Sequence, residues 1–343
     1  MSNEPVLPPI HWYRTPLPPA VLRELHERSD FWGLVQTLGY LGIWATTAGT
    51  ALYAAGHWAV AVTVLIVFLH GMVTAFMING VHELGHGTVF KTRALNALFD
   101  RVLSFLGWIN FEMFEASHAR HHRYTLHPPG DLEVVLPIKI MVKNFFQYGF
   151  VNLAGLWNTP KETIRIARNH LNDGWETTLF PPTDPVPRRR PIRWAWTLLI
   201  GHGLIIAVSI YTKHWLVPVL VTFAPFYGGW LFFLCNSTQH IGLQDNVPDF
   251  RRSCRTFTLN PIIRFLYWHM NYHTEHHMYA AVPCYKLGKL HRLIQHDLPP
   301  CPHGLFATWR EIAAIQHIQQ TNPTYQYLAP LPNNPLKNPN LAA

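Results

Sequence analysis

The chain has 343 residues, of which 49% are hydrophobic, 13% aromatic and only 13% charged. That balance excludes an ordinary soluble enzyme and fits an integral membrane protein. The net charge of +8 would raise nucleic acid as a partner in a soluble protein; its placement along this chain points to a lipid bilayer instead, and no nucleic-acid partner is expected.

Residues 1–30 predict a cytoplasmic arm rich in proline (Pro5, Pro8, Pro9, Pro16, Pro18, Pro19). A short amphipathic helix over about 20–28 would lie on the membrane surface. No basic region leads into a short apolar run, so a cleavable signal peptide is not expected. No Asp, Glu, Lys or Arg occurs between Asp30 and Glu83, and only Lys213 between Arg193 and Asp245. Each block is long enough for two spans of about 20 residues. The expected transmembrane helices are 31–55 with 57–80, turning near Gly56, and 194–212 with 214–239, turning near Lys213. Twenty-six of the twenty-seven Lys and Arg residues lie outside these hairpins, and Lys213 alone sits in an outer turn. The positive-inside rule therefore places both termini, and everything between and after the hairpins, in the cytoplasm.

The second span runs straight into His82-Glu83-Leu84-Gly85-His86, two imidazoles at i and i+4. Residues 91–108 are apolar but broken by Arg93, Asp100 and Arg101. Then comes His118-Ala119-Arg120-His121-His122, with histidines at i, i+3 and i+4, one face of a helix. The segment 134–157 reads as an interfacial helix whose Lys139 and Lys143 snorkel, and 158–193 as a polar linker carrying Arg188-Arg189-Arg190. The second hairpin ends in Asn236 and His240. Beyond it His273-Thr274-Glu275-His276-His277 repeats the H-x-x-H-H spacing, before an amphipathic stretch over 286–295 and a Pro/Asn-rich tail over 301–343.

Neutral imidazole is the commonest protein metal ligand. The boxes and His240 supply nine of them. A structural zinc takes about four ligands and a single catalytic metal rarely more than about six, so nine suit two ions with four to five each. Spacing does not choose among iron, zinc, copper and nickel. Glu83, Glu115, Asp131, Glu133 and Glu275 lie in or beside the boxes, where some can fix the tautomers of ligand rings and others are solvated charge. The four cysteines show no metal-ligand spacing and are expected as thiols.

H-E-L-G-H, H-A-R-H-H and H-T-E-H-H, in this order around two hairpins, resemble the three histidine boxes of the membrane fatty-acid desaturase superfamily, over roughly 31–300. The resemblance implies an all-α integral membrane fold: four transmembrane helices in two hairpins, and a helical cytoplasmic cap holding a non-haem di-iron centre. It implies two iron ions that use O2 to oxidise an unactivated C–H bond. His82, His86, His118, His121, His122, His240, His273, His276 and His277 would be the ligands, and Asn236 would reach an iron through water. A desaturase acting on a lipid acyl chain is the expected activity. A hydroxylase or ketolase, or a desaturase of an amino-acid-derived molecule such as dihydrorhizobitoxine, is the alternative. The first box is H-x-x-x-H and not the longer acyl-CoA form, which argues against a stearoyl-CoA-like substrate. Electrons would come from a separate protein of ferredoxin, rubredoxin or cytochrome b5 type, because no haem-binding domain surrounds His127-Pro128-Pro129-Gly130. Oligomeric state is left open.

Two other readings compete. His82-Glu83-x-x-His86 also satisfies the H-E-x-x-H of zinc proteases, with Glu83 as general base, but leaves seven box histidines unused. A metal transporter or sensor would place ligands along the spans, whereas these sit at their ends. His70 and His202, inside spans, are expected to make helix–helix hydrogen bonds. His269, four residues before His273, is a neighbour of the box without an assigned role. Arg188–Arg190 and Arg251, Arg252 and Arg255 are read first as positive-inside charge and second as grips for an anionic group.

Overall fold

The structure, a computed structural model, describes residues 8–332; the outer ends of the expected arm and tail, 1–7 with Pro5 and 333–343, lie outside the described residues. Among these the chain is helical, with isolated bridges and no strand.

Helix α1 (Pro19–His26) buries Leu25. Helix α2 (Asp30–His57) opens where Ser29 Oγ accepts from Trp32 N at 3.3 Å, and Asp30 faces the positive end of the helix dipole. It packs antiparallel on α3 (Val60–Ala75), which kinks at Phe76 and continues as α4 (Met77–Gly85). Taken together they form Val60–Gly85, within which an 18-residue stretch has a mean hydropathy of 2.3. That helix overruns the expected end at 80 by five residues and carries His82 out with it. The remaining elements up to the second apolar block are α5 (Arg93–Leu106), α6 (Phe111–Tyr124), α7 (Val142–Gly149), α8 (Leu153–Ala167) and α9 (Trp175–Leu179). Helix α10 (Pro185–Thr212) is the second element long and apolar enough to cross a membrane, by length and composition.

Three expectations change here. The fourth span, 214–239, is not one helix: α11 (Leu216–Val221), a 3-10 turn at Ala224–Phe226 and α12 (Trp230–Asn236) replace it. Pro225 and the Gly228-Gly229 pair interrupt it, and Gly228 has a φ of +70° that other residues rarely adopt. The interfacial segment 134–157 is likewise divided, into α7 and the start of α8, with Asn152 recapping the chain by accepting from Gly155 N at 2.8 Å. The linker 158–193 is largely helical, because Asp184 caps α10 and Pro185 and Pro187 suit its first turn, drawing Arg188–Arg190 into that helix.

Beyond α12 come α13 (Phe250–Ser253), α14 (Pro261–Leu266), α15 (His273–Met278), α16 (Leu287–Ile294) and α17 (Gly304–Thr321). The last of these, in the expected tail, buries Thr308, Ile312, Ile315 and Gln319 along one face. The arm is strapped to this cap. Trp12 stacks on Phe250 at 4.2 Å, Tyr13 Oη and Thr15 Oγ1 donate to Asp297 Oδ2 at 2.6 and 2.8 Å, and Arg14 Nε donates to Met278 O at 2.7 Å. The main core runs under the boxes through Phe76, Met77, Leu103, Tyr267 and Trp268. Gly80 lets α4 close on it: a Cβ there would stand 2.4 Å from Leu103 Cδ1 and 2.7 Å from Trp268 Cζ2.

The histidines buried in the long helices bond across helices, as expected. His70 spans Thr47 Oγ1 and Leu220 O, both at 2.8 Å. His202 meets Phe105 O at 3.0 Å and stacks on Trp108 at 4.1 Å. Arg251 is paired with Asp249 and Asp297, and Arg255 with Glu311, Thr238 O and Ile241 O, so both are interior struts of the cap. The four cysteines are free.

Candidate metal centre

Four chain segments bring the nine box histidines together. Helix α4 ends in His82 and His86, α6 presents His118, His121 and His122, the turn after α12 holds His240, and α15 presents His273, His276 and His277. They separate into two groups. His82, His86, His118, His122 and His276 form one, and His121, His240, His273 and His277 the other. Each H-x-x-H-H box is shared. Its i and i+4 rings serve one group and its i+3 ring crosses to the other, in opposite senses on α6 and α15. His122 and His277, one from each group, stack at 4.3 Å.

Within each group one ring nitrogen per residue lies within 4.8 Å of all the others. At a metal–nitrogen distance of about 2.0–2.1 Å, ligands on one ion stand about 2.9–4.2 Å apart, so small closures bring each set onto one centre. His273 and His240 Nε2 approach to 2.9 Å and His276 and His122 Nε2 to 3.1 Å, the spacing of adjacent ligands. Nε2 of His82, His86, His118 and His277 and Nδ1 of His273 and His276 are buried without a hydrogen-bond partner. Buried polar atoms rarely go unpaired, so the four orphaned Nε2 atoms of His82, His86, His118 and His277, in groups that His273 and His276 already face through Nε2, are what a metal site predicts.

Outward-facing nitrogens are tied down. His82 Nδ1 donates to Glu83 Oε1 at 3.0 Å, His118 Nδ1 to Glu133 Oε1 at 2.9 Å and His121 Nδ1 to Asp131 Oδ2 at 2.8 Å. His240 Nδ1 donates to Ser253 O at 2.7 Å and His277 Nδ1 to Thr125 Oγ1 at 3.2 Å. Such bonds fix the tautomer and turn the other nitrogen's lone pair inward. Asp131 is itself oriented by the amides of Leu126 and Glu133, each at 2.9 Å. Of the five carboxylates singled out from sequence, Glu83, Asp131 and Glu133 thus hold box histidines. Glu275 instead bonds His291 Nδ1 and Thr256 Oγ1. Glu115 packs its carboxyl against Gly85, where burial and then the neighbouring Glu112 push it up to about 7. Ser253 O was not foreseeable from the boxes, since a backbone carbonyl leaves no residue-type signal, and Thr125 meets a histidine 152 residues away in the chain.

Burial drives the imidazoles toward the neutral, ligating form. Desolvation and then neighbouring rings hold His86 and His240 at about 3, and His118, His122, His273, His276 and His277 well below their ordinary value. His269 is depressed to about 4 by burial and then Arg264, but belongs to neither group. An H-E-x-x-H protease would place three ligands and a free carboxylate around one ion, whereas here five imidazoles gather and Glu83 holds a ligand.

Asn236 is in neither histidine group. It lines two cavities that meet at α12. One, of about 440 Å³, reaches Met77, Ile78 and Ile109, and the other, of about 310 Å³, reaches Ile138, Ile140 and His240. Cavities therefore lie on both sides of this α12 wall, one against the α3–α4 kink and the other against a histidine of the second group.

The family model described as fatty acid desaturase matches residues 56–309, taking in every box. No curated protein matches the chain.

Proposed function

Since this chain belongs to the fatty acid desaturase family, we propose that it is an O2-dependent membrane oxidase that introduces a carbon–carbon double bond into a lipid acyl chain. The observation that carries this reading is the gathering of five and four imidazoles beside a cavity that touches His240. The donor set fits iron: it is all nitrogen, and oriented by carboxylate and carbonyl acceptors. All nine histidines would hold two irons, with Asn236 beside them through water. Bound there, the irons would supply the oxidising power that breaks an unactivated C–H bond with O2.

The protein's own part is placement and exclusion. Ile138 and Ile140 would hold two adjacent methylenes near His240 and keep water from the reacting carbons. Desaturation removes two hydrogens from the chain, and reduction of O2 to two waters needs two further electrons and two protons. The electrons would come from a separate donor protein of ferredoxin, rubredoxin or cytochrome b5 type. The membrane domain would run over 31–300 with four bilayer crossings, the second hairpin completed by the interrupted 214–239 segment. Both termini and the centre would then face the cytoplasm.

Product analysis by mass spectrometry of cells expressing the chain tests the reaction. A two-hydrogen loss from an acyl lipid is expected, and an oxygen gain or an unchanged lipidome contradicts it. Reporter fusions at both termini should read cytoplasmic; a signal from the far side at either end would overturn the topology.

A further inference from the structure

The two cavities share one wall. Tyr148, Phe233, Asn236 and Ser237 line both. The Tyr148 ring, at the end of α7, lies nearly parallel to the Phe233 ring of α12, 17° apart in plane with centroids at 6.3 Å. Two glycines set that approach. A Cβ on Gly149 would stand 3.1 Å from Trp230 Cα, and one on Gly229 would stand 3.0 Å from Tyr148 O. With larger residues there, α7 and the start of α12 would have to give way by a few tenths of an ångström. The aromatic pair is therefore held by backbone packing, not by the freedom of a loop side chain.

We propose that the Tyr148–Phe233 pair is a chain-length stop, closing the space beside His240 off from the space against Met77 and Ile109, so that it sets how far an acyl chain extends past the metal centre. The inference rests on the acyl-chain reading above and adds the residues that select among chains. The cavity at His240 measures about 310 Å³ and the one beyond Tyr148 and Phe233 about 440 Å³, so opening the partition more than doubles the room available to a chain at the site. Each methylene that gains a buried position raises affinity about fourfold, and a methylene that meets the ring pair gains nothing.

The test is the binding of a homologous series of straight-chain fatty acids to the purified, metal-loaded full chain, comparing wild type with Tyr148→Ala, Phe233→Leu and Tyr148→Trp. Wild-type affinity should climb about fourfold per methylene and then level off. The levelling point should move to longer chains in Tyr148→Ala and Phe233→Leu, and to shorter ones in Tyr148→Trp. Metal content and thermal midpoint, read on the same samples, show whether each variant is folded; Phe233→Leu, the mildest change, keeps the test alive if Tyr148→Ala is not. The same levelling point in every folded variant, or no levelling in wild type, overturns the stop while leaving the acyl-chain reading intact. No rise with chain length in wild type overturns both.

Discussion

The two histidine groups draw on the same two helices yet live in different surroundings. The first also takes His82 and His86 from the end of the apolar α3–α4 helix, and His86 and His122 remain half-buried. The second adds only His240, and all four of its members are buried. One centre therefore depends on how the α3–α4 helix meets the cap, the other on the turn that follows α12. The reversed use of α6 and α15 joins them: neither helix can move without disturbing both groups.

The largest effect should come from breaking that sharing. His121→Ala removes a ring from the second group and His276→Ala one from the first. Each should take product formation to background and cost about one metal ion per chain, while the protein still inserts. Full activity in either variant would remove that residue from the centre.

Acid should act next, on the metal-free protein. His86 and His240 titrate near 3 in the folded chain against an ordinary value of 6.5. Above about pH 6.5 both imidazoles are neutral in either state and add no slope. Below it the unfolded chain takes up protons that the folded one refuses, so stability falls steadily toward about pH 3. Thermal melts across that range check the sign, and a midpoint that rises with acidification would be inconsistent with buried neutral imidazoles.

Smaller changes sharpen the contrast. Asp131→Asn should weaken metal binding in the second group, and Glu133→Gln in the first, each by about 10- to 100-fold, since the ring remains but its orientation is lost. Competition titrations with a chelator would measure this, and unchanged affinity would mean those carboxylates only fill space. Smallest is Gly80→Ala, whose new Cβ must push on Leu103 and Trp268 behind α4. A destabilisation of about 1–3 kcal/mol is expected, with metal lost from the first group before the second. Loss in the opposite order would show that α4 does not position the first group.

The imidazoles were legible because function wrote them at fixed helical offsets: H-x-x-H-H is visible in the chain and becomes one face of α6 and of α15. Their division between groups was not, because i, i+3 and i+4 share a face and spacing alone does not say which ring crosses. Glu83, Asp131 and Glu133 could be nominated by nearness, yet Glu115 and Glu275 were equally near and turn elsewhere. Hydropathy alone reads 214–239 as one span, whereas Pro225 and the Gly228-Gly229 pair break it. The helix at Gly304–Thr321 escaped notice because its buried face mixes Thr308 and Gln319 with only two isoleucines, too weak a stripe for periodicity to single out.

Iron per chain is the most direct measure of the central claim. Protein purified from iron-replete cells should carry about two irons per chain, one for each histidine group, and about one in either His121→Ala or His276→Ala. A single zinc, or two irons unaffected by both substitutions, would contradict it.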